Sequence, residues 1–406
     1  MDKEEAFLEA QEVDAAHDEM DTDVDTGAND DAQSEGAELM DDSIQGFFKH
    51  EEPVYGVRAS GRHDNIIASG GGDDKAYIWN ADTGEQLFCL EGHTDSVVQV
   101  AFSAVDSRYL ATGAMDGGIR VWNVETGAQV VALEGPSEEI FWLAWHQKGD
   151  VLACGSADGT AWVWSIPSGQ LLHCEGSHGC PVTCGAFTAD GKFMVTCSED
   201  GCMRVWSPKN GEIKLTVQDP VAFHAAPITS LSIQLGGDAI CTASADGIIC
   251  LTTLSGRTFT RLLVSGGNAI NAAPSAGIAD DLMQQEVAPV EAISFSPSHG
   301  LLAAAALDGT LLVWDVLNSS IRSISQESAG ITQLVWHPTL PVILASSLDG
   351  WSTLRDGRTA ALIRTCYGHQ GPILASCFTA SGDRYVSSSE DGTCLVFATD
   401  VGEGDE

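Results

Sequence analysis

Basic residues are scarce in this chain, with 19 lysines and arginines against 58 aspartates and glutamates over 406 residues, a net charge of −39. That balance repels phosphate backbones and anionic lipid surfaces and attracts cationic partners, so neither direct nucleic-acid binding nor membrane association is expected. Apolar runs of about 18 residues, long enough to span a bilayer, are missing. The opening MDKEEAFLEAQEVDAAHDE lacks the apolar core of a signal peptide. The cytoplasm, together with the nucleus, is the expected compartment. Proline is also sparse, 13 residues against 43 glycines, and 44% of the chain is hydrophobic, which is material for a large core.

Cysteine is present but not at framework spacing. The 12 cysteines fall in strand-like stretches such as CTASADGIIC, which favours packed, reduced thiols over a disulfide scaffold. His178, Cys180 and Cys184 in SHGCPVTC have no second pair at finger spacing, so no metal is expected. No nucleophile elbow, phosphate loop, HExxH or kinase signature appears, and neither catalysis nor a cofactor is expected.

What the chain does have is repetition. GGDDKAYIWN returns as AMDGGIRVWN, SADGTAWVWS, SEDGCMRVWS, SADGIICLTT, ALDGTLLVWD, SLDGWSTLRD and SEDGTCLVFA. Anchored on the turn aspartate, the eight copies fall at Asp73, Asp116, Asp158, Asp200, Asp246, Asp308, Asp349 and Asp391, with steps of 43, 42, 42, 46, 62, 41 and 42. Such a period, with Gly-His upstream and a Trp-Asp-like end downstream, resembles the WD40 repeat, in which each unit supplies the four strands of one propeller blade. In the second unit SVVQVAFSA, YLATGA, GIRVWNV and AQVVALEG read as those strands. The fold class expected is all-β: an eight-bladed propeller over residues 43–399 with a disordered acidic tail over 1–42 and a short acidic tail over 400–406. The eighth unit stops after TCLVFAT without a fourth strand. Residues 43–50, SIQGFFKH, are expected to supply it, pairing Ile44–Phe48 with Cys394–Ala398 and closing the ring. The 62-residue step marks an insertion, expected as a mobile loop over residues 265–289.

In the WD40 family a His, a Ser or Thr, the turn Asp and the Trp form a hydrogen-bonded set inside each blade. A His 22 or 23 residues before the anchor occurs at His50, His93, His178, His224 and His369, and His93, Thr112, Asp116 and Trp122 read as a complete set. Repetition argues for a device of the fold, because chemistry needs only one constellation. Pro136, Glu286 and Glu327 stand where other units have His, and Thr252, Arg355 and Phe397 where they have Trp.

The resemblance also implies that the His loop and the anchor turn share one end of the propeller, and acids crowd both. Glu51, Glu52, Asp95, Glu138 and Glu139 lie near the His position, Asp74, Glu199 and Glu390 beside the anchor, and Glu286 and Glu327 replace His. These residues, with Trp142 as an aromatic anchor for a lysine or arginine, are the candidate binding site for a basic protein segment. A solvated acidic rim that keeps the protein soluble is the plainer explanation of the same residues.

A closer resemblance rests on the acidic tail running into DDSIQGFFKH, on GGGDDKAYIWNADTGEQLF followed by EGHTDSV, on LAWHQKGDVLACGSADGTAWVWSIPSG, and on the insertion before the sixth unit. By these the chain resembles the angio-associated migratory cell protein family, whose yeast member chaperones a newly made large-subunit ribosomal protein on its acidic face. The resemblance implies a non-catalytic, monomeric chaperone for a basic ribosomal-protein segment. Two alternatives stay open: a scaffold in cell migration, and a substrate receptor of a cullin ubiquitin ligase. The latter class carries Trp-Asp-x-Arg, whereas Trp314-Asp315 is followed here by Val316-Leu317.

Overall fold

The structure is a computed structural model, and the residues it describes are 40–176, 178–256, 258–265, 268–272 and 287–400. Of the expected tails over 1–42 and 400–406, residues 1–39 and 401–406 lie outside them, as does Glu286, whereas Asp42 is not disordered: its N–H donates to the Tyr367 carbonyl at 2.9 Å and its carboxylate accepts the Tyr367 N–H at 3.0 Å. Among the described residues every regular element is a strand. The strands form eight antiparallel sheets, seven of four strands and one of five. In all but the last sheet, the strands lie side by side in chain order. Blade 2 is Val97–Phe102, Tyr109–Ala114, Ile119–Asn123 and Gln129–Leu133, where the apolar pattern puts them.

First strands of neighbouring blades pack on one another, and Ile373–Phe378 of the last blade packs on Val54–Ala59 of the first, completing the circle. Middle strands are covered on both faces by the adjacent blades. They therefore read as continuous apolar or small-residue runs such as YLATGA, wholly buried, rather than as an alternation. The fourth strands sit at the perimeter and are more exposed, as in Gln86–Leu90.

Closure follows the expected scheme. Gln45–Phe47 pairs antiparallel with the final strand, Gln45 opposite Val396, Gly46 opposite Leu395 and Phe47 opposite Cys394. This is one residue shorter at each end than Ile44–Phe48. Phe47 is completely buried and stacks on Trp79 of blade 1 at 5.0 Å between ring centres. The segment thus binds the last blade through its backbone and the first blade through an aromatic ring.

The insertion departs from expectation. Its first part is not a loop: Asn268–Ala272 pairs with Thr258–Ser265 as a fifth strand of blade 5. The outer edge of Thr258–Ser265 offers unpaired backbone groups, and this strand satisfies them. Residues 273–286 of the expected loop lie outside the described residues.

Candidate protein-binding face

One backbone hydrogen bond, repeated in all eight blades, determines where the acids point. The residue before the anchor aspartate donates its N–H to the carbonyl of the residue that leads into the innermost strand: Ala157 to Glu139 at 2.9 Å, Glu199 to Pro181 at 3.1 Å and Glu390 to Pro372 at 3.0 Å, with Gly72, Met115, Ala245, Leu307 and Leu348 doing the same. The anchor turn and the His loop of every blade are therefore tied together on one end of the propeller. The turn itself is held by the anchor carboxylate, which accepts the N–H two residues on, as in Asp158 from Thr160 at 2.9 Å and Asp391 from Thr393 at 2.9 Å. The residue after the anchor has positive φ, and seven blades use glycine there. Blade 1 uses Asp74 at φ 60°, a side chain among the best tolerated in that conformation.

Glu51, Glu52, Asp95, Glu138, Glu199 and Glu390 are exposed on this end, and Asp74 and Glu139 are half-buried. Burial raises the Glu139 pKa, and the negative charge of Asp95, from the preceding blade's loop, raises it further. Carboxylates of adjacent blades thus come close enough to repel. Among the described residues none of these eight acids is held in an ion pair. They can accept an external cation without first giving one up.

Two proposed site residues, Trp142 and Glu327, do not stand with them. Trp142 is 7% exposed, its indole N–H donates to the Val182 carbonyl at 3.1 Å, and its ring fills the space over Gly155 and Gly185. It packs blade 3 on blade 4 and cannot reach a ligand. Glu327 is paired internally: it accepts from the Arg355 guanidinium at 2.5 Å and from Thr353 at 3.1 Å. Arg355 is itself 7% exposed and donates to the Ala360 carbonyl at 2.7 Å. A Glu–Arg pair has thus replaced the His–Trp pair of blade 7 as one unit. Glu286 lies outside the described residues.

The blade-internal sets also vary. In blade 2 His93 meets Thr112 at 2.7 Å and Trp122 donates to Thr112 at 2.9 Å, but Asp116 turns to Thr94 instead of His93. The expected four-membered set is therefore three-membered there. Blades 1 and 8 do link His to Asp, His50 with Asp73 at 3.0 Å and His369 with Asp391 at 3.1 Å. Burial, and then Arg120 and Arg204 respectively, push the His93 and His178 pKa values down to about 4. His178, Asp200 and Cys202 bring three ligand-type atoms within 4.8 Å of one another, with Cys180 and Cys184 outside that group. The positive charge of Arg204 beside His178 works against a cation there.

Sequence reasoning passed over Glu291. It lies at the start of an innermost strand, where sibling units read Ile-Thr-Ser or Ile-Thr-Gln and this one reads Val-Glu-Ala. Comparing strand starts across the repeats would have singled it out.

The WD domain, G-beta repeat family matches residues 42–80, 84–123, 127–165, 169–207, 284–315 and 360–397. The unmatched stretches contain Thr252 and Arg355, which replace the repeat's tryptophan. The chain is 33% identical to human angio-associated migratory cell protein over 358 residues, 88% of this chain and 80% of that protein. Its fold is similar to that of Sqt1 from Chaetomium thermophilum bound to the N-terminus of the ribosomal protein L10, with a TM-score of 0.77, 23% identity, and 89% and 100% of the two chains covered. It is similar as well to Saccharomyces cerevisiae Sqt1, with a TM-score of 0.76, 22% identity, and 89% and 100% coverage.

Proposed function

Because the chain belongs to the angio-associated migratory cell protein family of WD40-repeat proteins, we propose that it is a non-catalytic chaperone whose acidic end holds the basic N-terminal segment of a large-subunit ribosomal protein. The observation that carries the reading is the repeated turn-to-loop bond, which gathers unpaired carboxylates from blades 1, 2, 3, 4 and 8 on one end. Sqt1, which shares the fold, has been crystallised with the N-terminus of ribosomal protein L10. A ribosomal protein away from its RNA carries lysines and arginines whose charge is not neutralised. Glu51, Glu52, Asp74, Asp95, Glu138, Glu139, Glu199 and Glu390 satisfy that charge through carboxylate hydrogen bonds, and ribosomal RNA, a denser polyanion, takes the segment over. The protein acts as a monomer in the cytoplasm, where its client is made. Exposed rim carboxylates contribute chiefly to capture rate and salt dependence, because solvent and ions screen them beyond about 8 Å at physiological salt.

The test is capture from lysate with the purified protein, followed by titration with a synthetic peptide of the L10 N-terminus. Ribosomal protein L10 should be enriched, and joint reversal of Glu138, Glu139, Glu199 and Glu390 to lysine should abolish its capture at physiological salt. Capture of cytoskeletal proteins without any ribosomal protein, or capture unchanged by the reversal, would defeat the reading.

A further inference from the structure

At the entrance to the central channel, the innermost strands share one irregularity. In blades 1, 2, 3, 5, 6, 7 and 8 the register slips by one residue at the strand's start, for instance between Val54 and Gly56 and between Val290 and Ala292. Each slip is a β-bulge that leaves one residue without a cross-strand partner and re-aims its side chain. Those of blades 1, 2 and 8, Tyr55, Val98 and Leu374, line one cavity of about 120 Å³ between the innermost strands. The bulge positions thus share one level of the propeller, at the starts of the innermost strands and next to the His loops.

Most of these positions are apolar or satisfied. Thr332 donates to the Ile373 carbonyl of the next blade at 2.8 Å, Thr229 does the same to Val290, and Thr183 of blade 4 to Ile228 at 2.6 Å. Blade 6 differs, because its bulge residue is Glu291. That side chain is half-buried and, among the described residues, has neither a hydrogen-bond partner nor an ion pair. Burial raises its pKa with nothing opposing. Half-buried and without a protein partner, this carboxylate can take a cation without giving up a bond, and the pairing would offset part of what its burial costs. Tyr55 and Phe141 occupy equivalent positions in blades 1 and 3 and set aromatic faces at the same level.

We propose that Glu291 is the specificity-determining acceptor for one lysine or arginine side chain of the bound segment, which enters the channel mouth from the acidic end while the outer carboxylates hold the rest of the segment. The inference rests on the chaperone reading and adds register to it: exposed rim charges attract any basic chain, whereas a single carboxylate inside the mouth selects where one particular cation sits.

Titration calorimetry with the full chain and the L10 N-terminal peptide tests this at about 50 mM and about 300 mM salt, since an inner pair is screened less than the rim. Glu291→Gln is isosteric and should unfold at the same temperature as the parent or higher. It should weaken binding about 10- to 100-fold at both salt concentrations, the span of a charged hydrogen bond. Replacing each peptide lysine or arginine singly by glutamine should abolish that penalty at one position only. The four-site rim variant should instead lose affinity mainly at low salt. If Glu291→Gln binds every peptide as the parent does while the rim variant fails, the Glu291 inference is overturned and the chaperone reading stands. If the parent does not bind the peptide at all, the chaperone reading itself falls.

Discussion

Replacing Phe47 by alanine probes whether three residues of the N-terminal segment really close the ring. Phe47 has no exposed surface, stacks on Trp79 at 5.0 Å with planes 8° apart, and lies 5.4 Å from the Tyr77 ring. Emptying such a site costs about 3–5 kcal/mol, and the lost ring pair adds about 1. The neighbouring Phe48 supplies the control: it is 66% exposed, and its replacement should cost less than about 0.5 kcal/mol. Urea unfolding followed by tryptophan fluorescence reads both variants. A chain starting at Met40 and one starting at Glu51 differ only by the closing segment, and the second should have the lower midpoint and be cut faster by protease. Equal midpoints for Phe47→Ala and Phe48→Ala, or for the two shortened chains, would refute the closure.

Removing one partner of the Glu327–Arg355 pair strands a buried charge, so Glu327→Ala should destabilise by about 3–5 kcal/mol. The double variant Glu327→His with Arg355→Trp should recover much of that loss in thermal unfolding, because it reinstates the set used elsewhere. Trp142→Ala should lower stability by about 3–5 kcal/mol through the cavity it leaves, while Trp142→Phe keeps peptide affinity in calorimetry; lost affinity in a stably folded Trp142→Phe protein would return this residue to the binding site. Acid should weaken the fold early. His93 and His178 have pKa values of about 4 in the folded protein, below the ordinary 6.5, so the unfolded chain binds more protons between those values. Their contribution is complete above about pH 6.5 and falls by up to about 1.4 kcal/mol per pH unit per residue as pH drops toward 4. Urea midpoints across that range should fall, and should fall less in a His93→Asn, His178→Asn protein.

The propeller was legible because the blades repeat the same local devices: an anchor Asp in a turn, with Gly after it in seven of the eight, a short apolar run, and in five of them a Trp. Eight copies make the reading redundant. The closing strand was legible from a shortage, since the last unit lacked an apolar fourth strand and only residues 43–50 were left to provide one. Individual side chains were less legible. Glu327 and Glu199 look alike as letters near repeat landmarks, yet one faces Arg355 inside blade 7 and the other is exposed. Trp142 follows two acids and reads as part of their surface, but it is an inward position on an innermost strand.

By itself the sequence determined the number of blades, their order, the ring closure and the excess of negative charge, because these depend on periodicity and composition. Tertiary structure alone decided which acids share a free face, which are neutralised within a blade, and which carboxyl falls on a bulge of an innermost strand. Burial and pairing depend on distances between residues far apart in sequence, 28 positions for Glu327 and Arg355, and a one-residue bulge re-aims the side chain that it leaves unpaired.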